Sequence, residues 1–125
     1  MFFIPMVNPD GVALIEEMET GDGQIVLKRK NGRKTGGRCG PVDDGVDLNR
    51  NYDVSWSKVW SYDEMKCGQS YRGTEAFSEP ETRTMRDFIL NNADTLKFII
   101  NYHSYGNMFL VPYSSGDADM ILTVD

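Results

Sequence analysis

The 125-residue chain contains one histidine, His103, and two cysteines, Cys39 and Cys67. With no C-x-x-C pair, the sequence excludes a zinc knuckle or a thioredoxin-type redox centre. One imidazole alone cannot close a catalytic zinc site, which needs three protein ligands. No apolar run is long enough to cross a bilayer, so no membrane partner is expected. Repeats, low-complexity tracts and linker-like stretches are missing as well. The opening "MFFIPMV" has neither a basic leader nor a small-residue cleavage site, so it reads as a strand rather than a signal peptide. Its abrupt start points to a fragment. Basic residues are in deficit too: the formal charge of −6 argues against a nucleic-acid binder.

What remains is 40% apolar and 26% charged, the composition of an ordinary soluble globular protein of one domain with a modest core. Phe2–Val7 reads as a buried strand despite Pro5. Asn8 is placed to cap a short helix that has Pro9 at its first position and runs towards Met18. "ETGDGQ" is turn chemistry and Ile25–Lys28 a short strand. Arg29 to Tyr71 lacks periodicity, and an irregular stretch that long in a compact domain tends to be functional. "SEPET" opens a helix, with Ser78 and Glu81 as a capping-box pair and Pro80 in the first turn. Met85, Phe88 and Ile89 continue it as an apolar stripe to about Asn92. "LKFIINYH" suits a central strand covered on both faces, "NMFLVPY" a further strand, and Asp117 a helix cap. This alternation predicts an α/β architecture.

Three features carry possible chemistry. His103 follows the "FIIN" run, which puts it at the carboxyl end of a strand, the edge where open α/β sheets bind ligands. A hydrogen-bonded histidine at a strand end is the plainer alternative. In "GVDLNRNY", Arg50 has the forked guanidinium that grips a carboxylate through two parallel bonds, and Asn49 can donate a third. Both converge only if the loop is irregular. Pairing of Arg50 with an internal acid such as Asp43 or Asp47 is the competing reading. Cys39 and Cys67 are either two unrelated buried thiols or a pair closing a loop worth about 3–3.5 kcal/mol. The basic run "KRKNGRKTGGR", Lys28–Arg38, is a solvated loop or an anion-facing patch, and as a nucleic-acid or localisation patch it lacks interleaved aromatics.

"IPMVNPDGVA", "GVDLNRNY", "CGQSYRGTEAFSEPET" and "INYHSYGNMFLVPY" together resemble the zinc metallocarboxypeptidases of the carboxypeptidase A/B-like type. The resemblance implies that residues 1–125 are a fragment of a mixed-sheet α/β/α zinc-peptidase catalytic domain, with both ends of the domain missing. It implies one zinc ion, His103 as its third ligand, and two ligands outside this chain. Asn49 and Arg50 match the pair that binds the free C-terminal carboxylate of a peptide. Arg29 matches the arginine that polarises the scissile carbonyl and stabilises its oxyanion, with Arg33 as a substitute. Asp47 matches the acid that orients a zinc-binding histidine, and Ser104 and Tyr105 match residues lining the substrate cleft. Cys39 and Cys67 match a disulfide of the digestive-type branch.

The departures are equally specific. The upstream His-x-x-Glu ligand motif is not in this sequence, nor are the catalytic glutamate and the substrate-capping tyrosine expected downstream. Glu75, Glu79 and Glu81 belong to the loop and helix start and take no catalytic role. The resemblance thus implies part of a hydrolase that removes the C-terminal residue of peptides or proteins, monomeric at full length, in a secreted, extracellular or lysosome-like compartment. It implies that the fragment is itself inactive, with apolar strands such as Phe98–Tyr102 uncovered. The alternative is a degenerate relative that binds peptide C-termini without hydrolysis.

Overall fold

The structure is a computed structural model that describes residues 1–19, 26–58, 65–104, 106–111 and 121–122. The chain divides into two compact units, Met1–Leu90 and Asn91–Asp125. In the first, α1 spans Pro9–Met18, and the Asn8 side chain accepts from the Gly11 amide at 3.0 Å. That bond satisfies one of the donors left free at any helix start, and Pro9 has no amide hydrogen to lose. Both features agree with the sequence reading. Two short 3₁₀ turns follow, Leu48–Arg50 and Trp56–Lys58, within an otherwise irregular region.

The second helix, α2, spans Pro80–Asn91. Met85, Phe88 and Ile89 are half-buried as the stripe predicts, and Phe88 meets Phe2 edge-on at 5.2 Å. The predicted capping box does not form. Ser78 instead donates to Glu79 at 2.6 Å and accepts from Asn51 at 2.8 Å. Glu81 accepts from Asn31 at 3.3 Å. These side chains are drawn away by buried amides from the irregular region, which a purely local motif does not anticipate.

Most expected strands are not found. Phe2–Val7 forms no strand and is exposed, with a bend at Val7. Residues 26–28 form no strand, and Ile25 lies outside the described residues. Phe98–Tyr102 is likewise unpaired, with Phe98 74% and Ile100 61% exposed, so the covered central strand is corrected to an uncovered segment. A strand is stable only when neighbours take up its amides and carbonyls, and among the described residues these segments have no ladder partner. The exposure itself agrees with the expectation that Phe98–Tyr102 is uncovered. Among the described residues the sheet is one antiparallel pair, β1 (Phe109–Leu110) with β2 (Ile121–Leu122). The predicted cap Asp117 lies outside the described residues.

The interior of the first unit is mostly polar. Among the described residues Val46 and Tyr71 are its buried large apolar residues, whereas Lys30, Asn31, Asp44, Asp47, Asn51, Glu79 and Thr82 are also buried. Irregular backbone cannot satisfy its own carbonyls and amides, so side chains must do so. Lys30 is 0% exposed and donates to the carbonyls of Asp43, Lys66 (2.7 Å) and Gly68 (2.9 Å). The Cys39–Cys67 disulfide closes the same region across 28 residues, and both cysteines are thereby paired. Gly45 has φ +110, where an added Cβ would collide with the Asn31 backbone oxygen. Only glycine suits that position.

Candidate functional site

Asp47 organises the stretch that contains Asn49 and Arg50. Its buried carboxylate sits at the N-cap of the Leu48–Arg50 turn, where Oδ1 accepts from the Asn49 amide at 3.1 Å. Oδ2 accepts from Arg29 Nε at 2.7 Å. The backbone amide of Asp47 donates to the Tyr71 carbonyl at 2.8 Å, which ties the turn to the chain shortly after Cys67. Arg29, Asp47, Asn49 and Arg50 are therefore connected within one unit. The Arg29 side chain is 44% exposed, so its guanidinium is reachable by a ligand while one nitrogen is held.

Asn49 is exposed and Arg50 half-buried. Arg50 Nη1 donates to the Asn49 carbonyl at 3.2 Å, and among the described residues it forms no ion pair. The competing reading, an internal salt bridge to Asp43 or Asp47, is not found. Asp47 is engaged by Arg29, and Asp43 accepts from Gln69 at 2.6 Å. Arg33, the substitute for Arg29, pairs instead with the buried carboxylate of Glu79. Asn31 donates to that carboxylate's other oxygen at 2.8 Å.

Charge in the neighbouring loop is set by burial. Lys28 and Lys30 are both shifted below the ordinary lysine pKa, first by desolvation; for Lys28 the Asp44 carboxylate opposes this, and for Lys30 the Lys28 charge adds to it. Lys28 donates to the carbonyls of Pro41 (3.0 Å), Val42 (3.2 Å) and Asp44. Asp44 lies below the ordinary carboxylate range, chiefly because the Thr35 hydroxyl donates to it at 2.6 Å. Burial pushes the Tyr52 phenol up. Its ring stands edge-on to Phe77 at 5.6 Å.

His103 and Ser104 belong to the second unit, where both are exposed. His103 follows an unpaired segment rather than a buried strand, because Phe98–Tyr102 has no ladder partner. Tyr105 lies outside the described residues. Among the described residues no three His, Cys, Asp or Glu side chains converge in a group able to hold a metal. With both thiols in the disulfide and one imidazole, this donor set does not fit a closed zinc site. Sequence reasoning also missed Lys30, Asn31 and Asn51 as buried organisers. The signal for them was the length of irregular backbone, whose carbonyls require internal donors.

A family model described as zinc carboxypeptidase matches residues 1–120. Carboxypeptidase B of Bos taurus is 32% identical over 113 residues, covering 90% of this chain and 25% of that protein. Carboxypeptidase B of Astacus astacus is 37% identical over 112 residues, 90% of this chain and 34% of that protein. The crystal structure of carboxypeptidase A from Helicoverpa armigera superimposes with a TM-score of 0.54 at 35% identity, over 70% of this chain and 19% of that one. The chain therefore spans about a quarter to a third of the length of these two carboxypeptidase B relatives.

Proposed function

Because this chain belongs to the zinc carboxypeptidase family, we propose that it is an internal part of a zinc-dependent metallocarboxypeptidase of mixed-sheet α/β/α fold. That enzyme hydrolyses the C-terminal residue of peptides and proteins. The observation that supports this reading most is the turn at Leu48–Arg50. Asn49 is exposed there, Arg50 has no internal acid among the described residues, and Asp47 ties the turn to Arg29.

Arg50 binds the substrate's terminal carboxylate through its forked guanidinium, and the Asn49 amide adds a donor. Recognition of a chain end, rather than of internal peptide, follows from that charge. Arg29 donates to the scissile carbonyl oxygen as negative charge builds there. A preorganised donor of this kind is commonly worth about 3–4 kcal/mol in the transition state. By the family resemblance, Ser104 and Tyr105 would contribute to the substrate cleft of the complete enzyme. His103 supplies one zinc ligand and two come from polypeptide outside these 125 residues, since the described residues alone do not make the site. A zinc ion completed by those outside ligands would supply a Lewis acid and lower the pKa of a bound water. Asp47 orients a ligand histidine as well as Arg29. The disulfide supports an extracellular, secreted or lysosome-like location, and the full-length enzyme is monomeric.

The test is a comparison of two polypeptides. The 125-residue chain alone retains no stoichiometric zinc after dialysis and releases no amino acid. The longer protein that contains it releases the last residue from free-carboxylate peptides and spares their C-terminal amides. Equal cleavage of both, or one-to-one zinc in the short chain, overturns the proposal. Binding of chain ends without hydrolysis by the longer protein identifies the non-catalytic alternative.

A further inference from the structure

Asn51 follows the Asn49–Arg50 pair and is 0% exposed. Its backbone closes the turn, donating to the Leu48 carbonyl at 3.2 Å and accepting from the Phe77 amide at 2.6 Å. The two N–H donors of its side-chain nitrogen are shared among the Arg72 carbonyl (2.8 Å), the Glu75 carbonyl (3.1 Å) and the Ser78 hydroxyl (2.8 Å). Its side-chain oxygen accepts from the Glu79 amide at 3.2 Å and from the Thr82 hydroxyl at 2.7 Å. One amide thus joins the turn to the loop 72–78 and to the first turn of α2.

The surroundings are shaped around this amide. Gly73 has φ +86, and a Cβ there would stand 2.8 Å from Asn51 Nδ2 and 2.5 Å from the Ser78 hydroxyl. Phe77, whose amide donates to Asn51, has φ +57, a left-handed conformation that a bulky residue rarely adopts. Such a conformation persists where surrounding contacts over-determine it. Neither aspartate nor alanine reproduces a side chain that donates on one edge and accepts on the other.

We propose that Asn51 is a positioning residue: it sets the Leu48–Arg50 turn against the start of α2, and so fixes the directions of Asn49 and Arg50. The functional consequence rests on the carboxylate-binding reading given above. The positioning itself does not.

Amide hydrogen exchange on the 125-residue chain separates the two. In Asn51→Ala, the amides of Arg50 and Asn51 exchange at least about tenfold faster than in the parent, while those of Met85 and Phe88 in the middle of α2 hold their rates. Thr82→Val removes one hydroxyl that bonds Asn51 but makes no described hydrogen bond to the turn. It accelerates the same two amides by about threefold, and it serves if Asn51→Ala does not fold. Unchanged exchange at Arg50 in the folded variant overturns the inference, as does an equal acceleration along all of α2, which marks a merely structural role. N-acetyl-dialanine and its C-terminal amide are then titrated against the parent. Discrimination that disappears in Asn51→Ala supports the functional consequence. Equal weak binding of both probes by the parent sinks the carboxylate reading and leaves the exchange result to decide the positioning.

Discussion

Residues 28–82 and residues 96–104 show opposite relations between chemical character and burial. In the first stretch a lysine, two asparagines, two aspartates, a glutamate and a threonine are buried. In the second, Phe98, Ile99, Ile100 and Tyr102 are exposed. The polar stretch is self-sufficient because side chains supply the hydrogen bonds its irregular backbone needs, and a disulfide shortens the unfolded chain it competes with. The apolar stretch has no such local remedy. Its polar backbone needs adjacent strands and its side chains need covering layers, both of which come from elsewhere in a fold. Hydrophobicity alone therefore does not locate a core in this chain; completed hydrogen bonding does.

The largest expected effect lies in the polar stretch. Lys30→Met leaves three carbonyls without their shared donor and lowers stability by about 3–5 kcal/mol, read from the urea midpoint. A midpoint within error of the parent would break the comparison at its strongest point. Next comes the disulfide. Replacing Cys39 and Cys67 together by serine costs about 3 kcal/mol, visible as a drop in Tm that reducing agent reproduces in the parent and not in the variant.

A smaller effect is expected from acid. The Asp44 carboxyl has a folded pKa below its ordinary 3.8, so the folded state binds fewer protons than the unfolded state in that range. Its stabilisation is complete above pH 3.8 and is lost as pH falls through the lowered folded value. Asp44→Asn removes this part of the acid sensitivity and costs about 1–3 kcal/mol at neutral pH, through the weakened bonds from Thr35 and Gly45. Identical acid titrations of parent and variant would count against it. The smallest effect belongs to the apolar stretch, where Ile100→Ser changes stability by less than about 0.5 kcal/mol. A loss several times larger would mean that this segment is packed after all.

The two helices were legible because their signals are local. Asn8 and Pro9 mark one start, and Met85, Phe88 and Ile89 mark the buried side of the other. The strands were not, because an apolar run such as "LKFIINYH" states what a segment needs without stating that the neighbours are present. In the candidate site, the sequence singles out Asn49 and Arg50 by residue type and Asp47 through the family resemblance. The bond between Asp47 and Arg29 was not legible, since 18 positions separate the two. Lys30 and Asn31 were hidden in a basic run whose composition suggests a solvated loop. Asn51 was hidden by the two residues before it, whose chemistry is more conspicuous.

The claim on which the account rests is that Asn49 and Arg50 hold a free terminal carboxylate. Calorimetric titration of the chain with N-acetyl-dialanine and with its C-terminal amide, repeated on Arg50→Lys, tests it most directly. The acid is expected to bind at least about tenfold more tightly than the amide, and lysine, which keeps the charge but loses the forked donor, to abolish most of that difference. Equal affinity for acid and amide, or a preference untouched in Arg50→Lys, would contradict it.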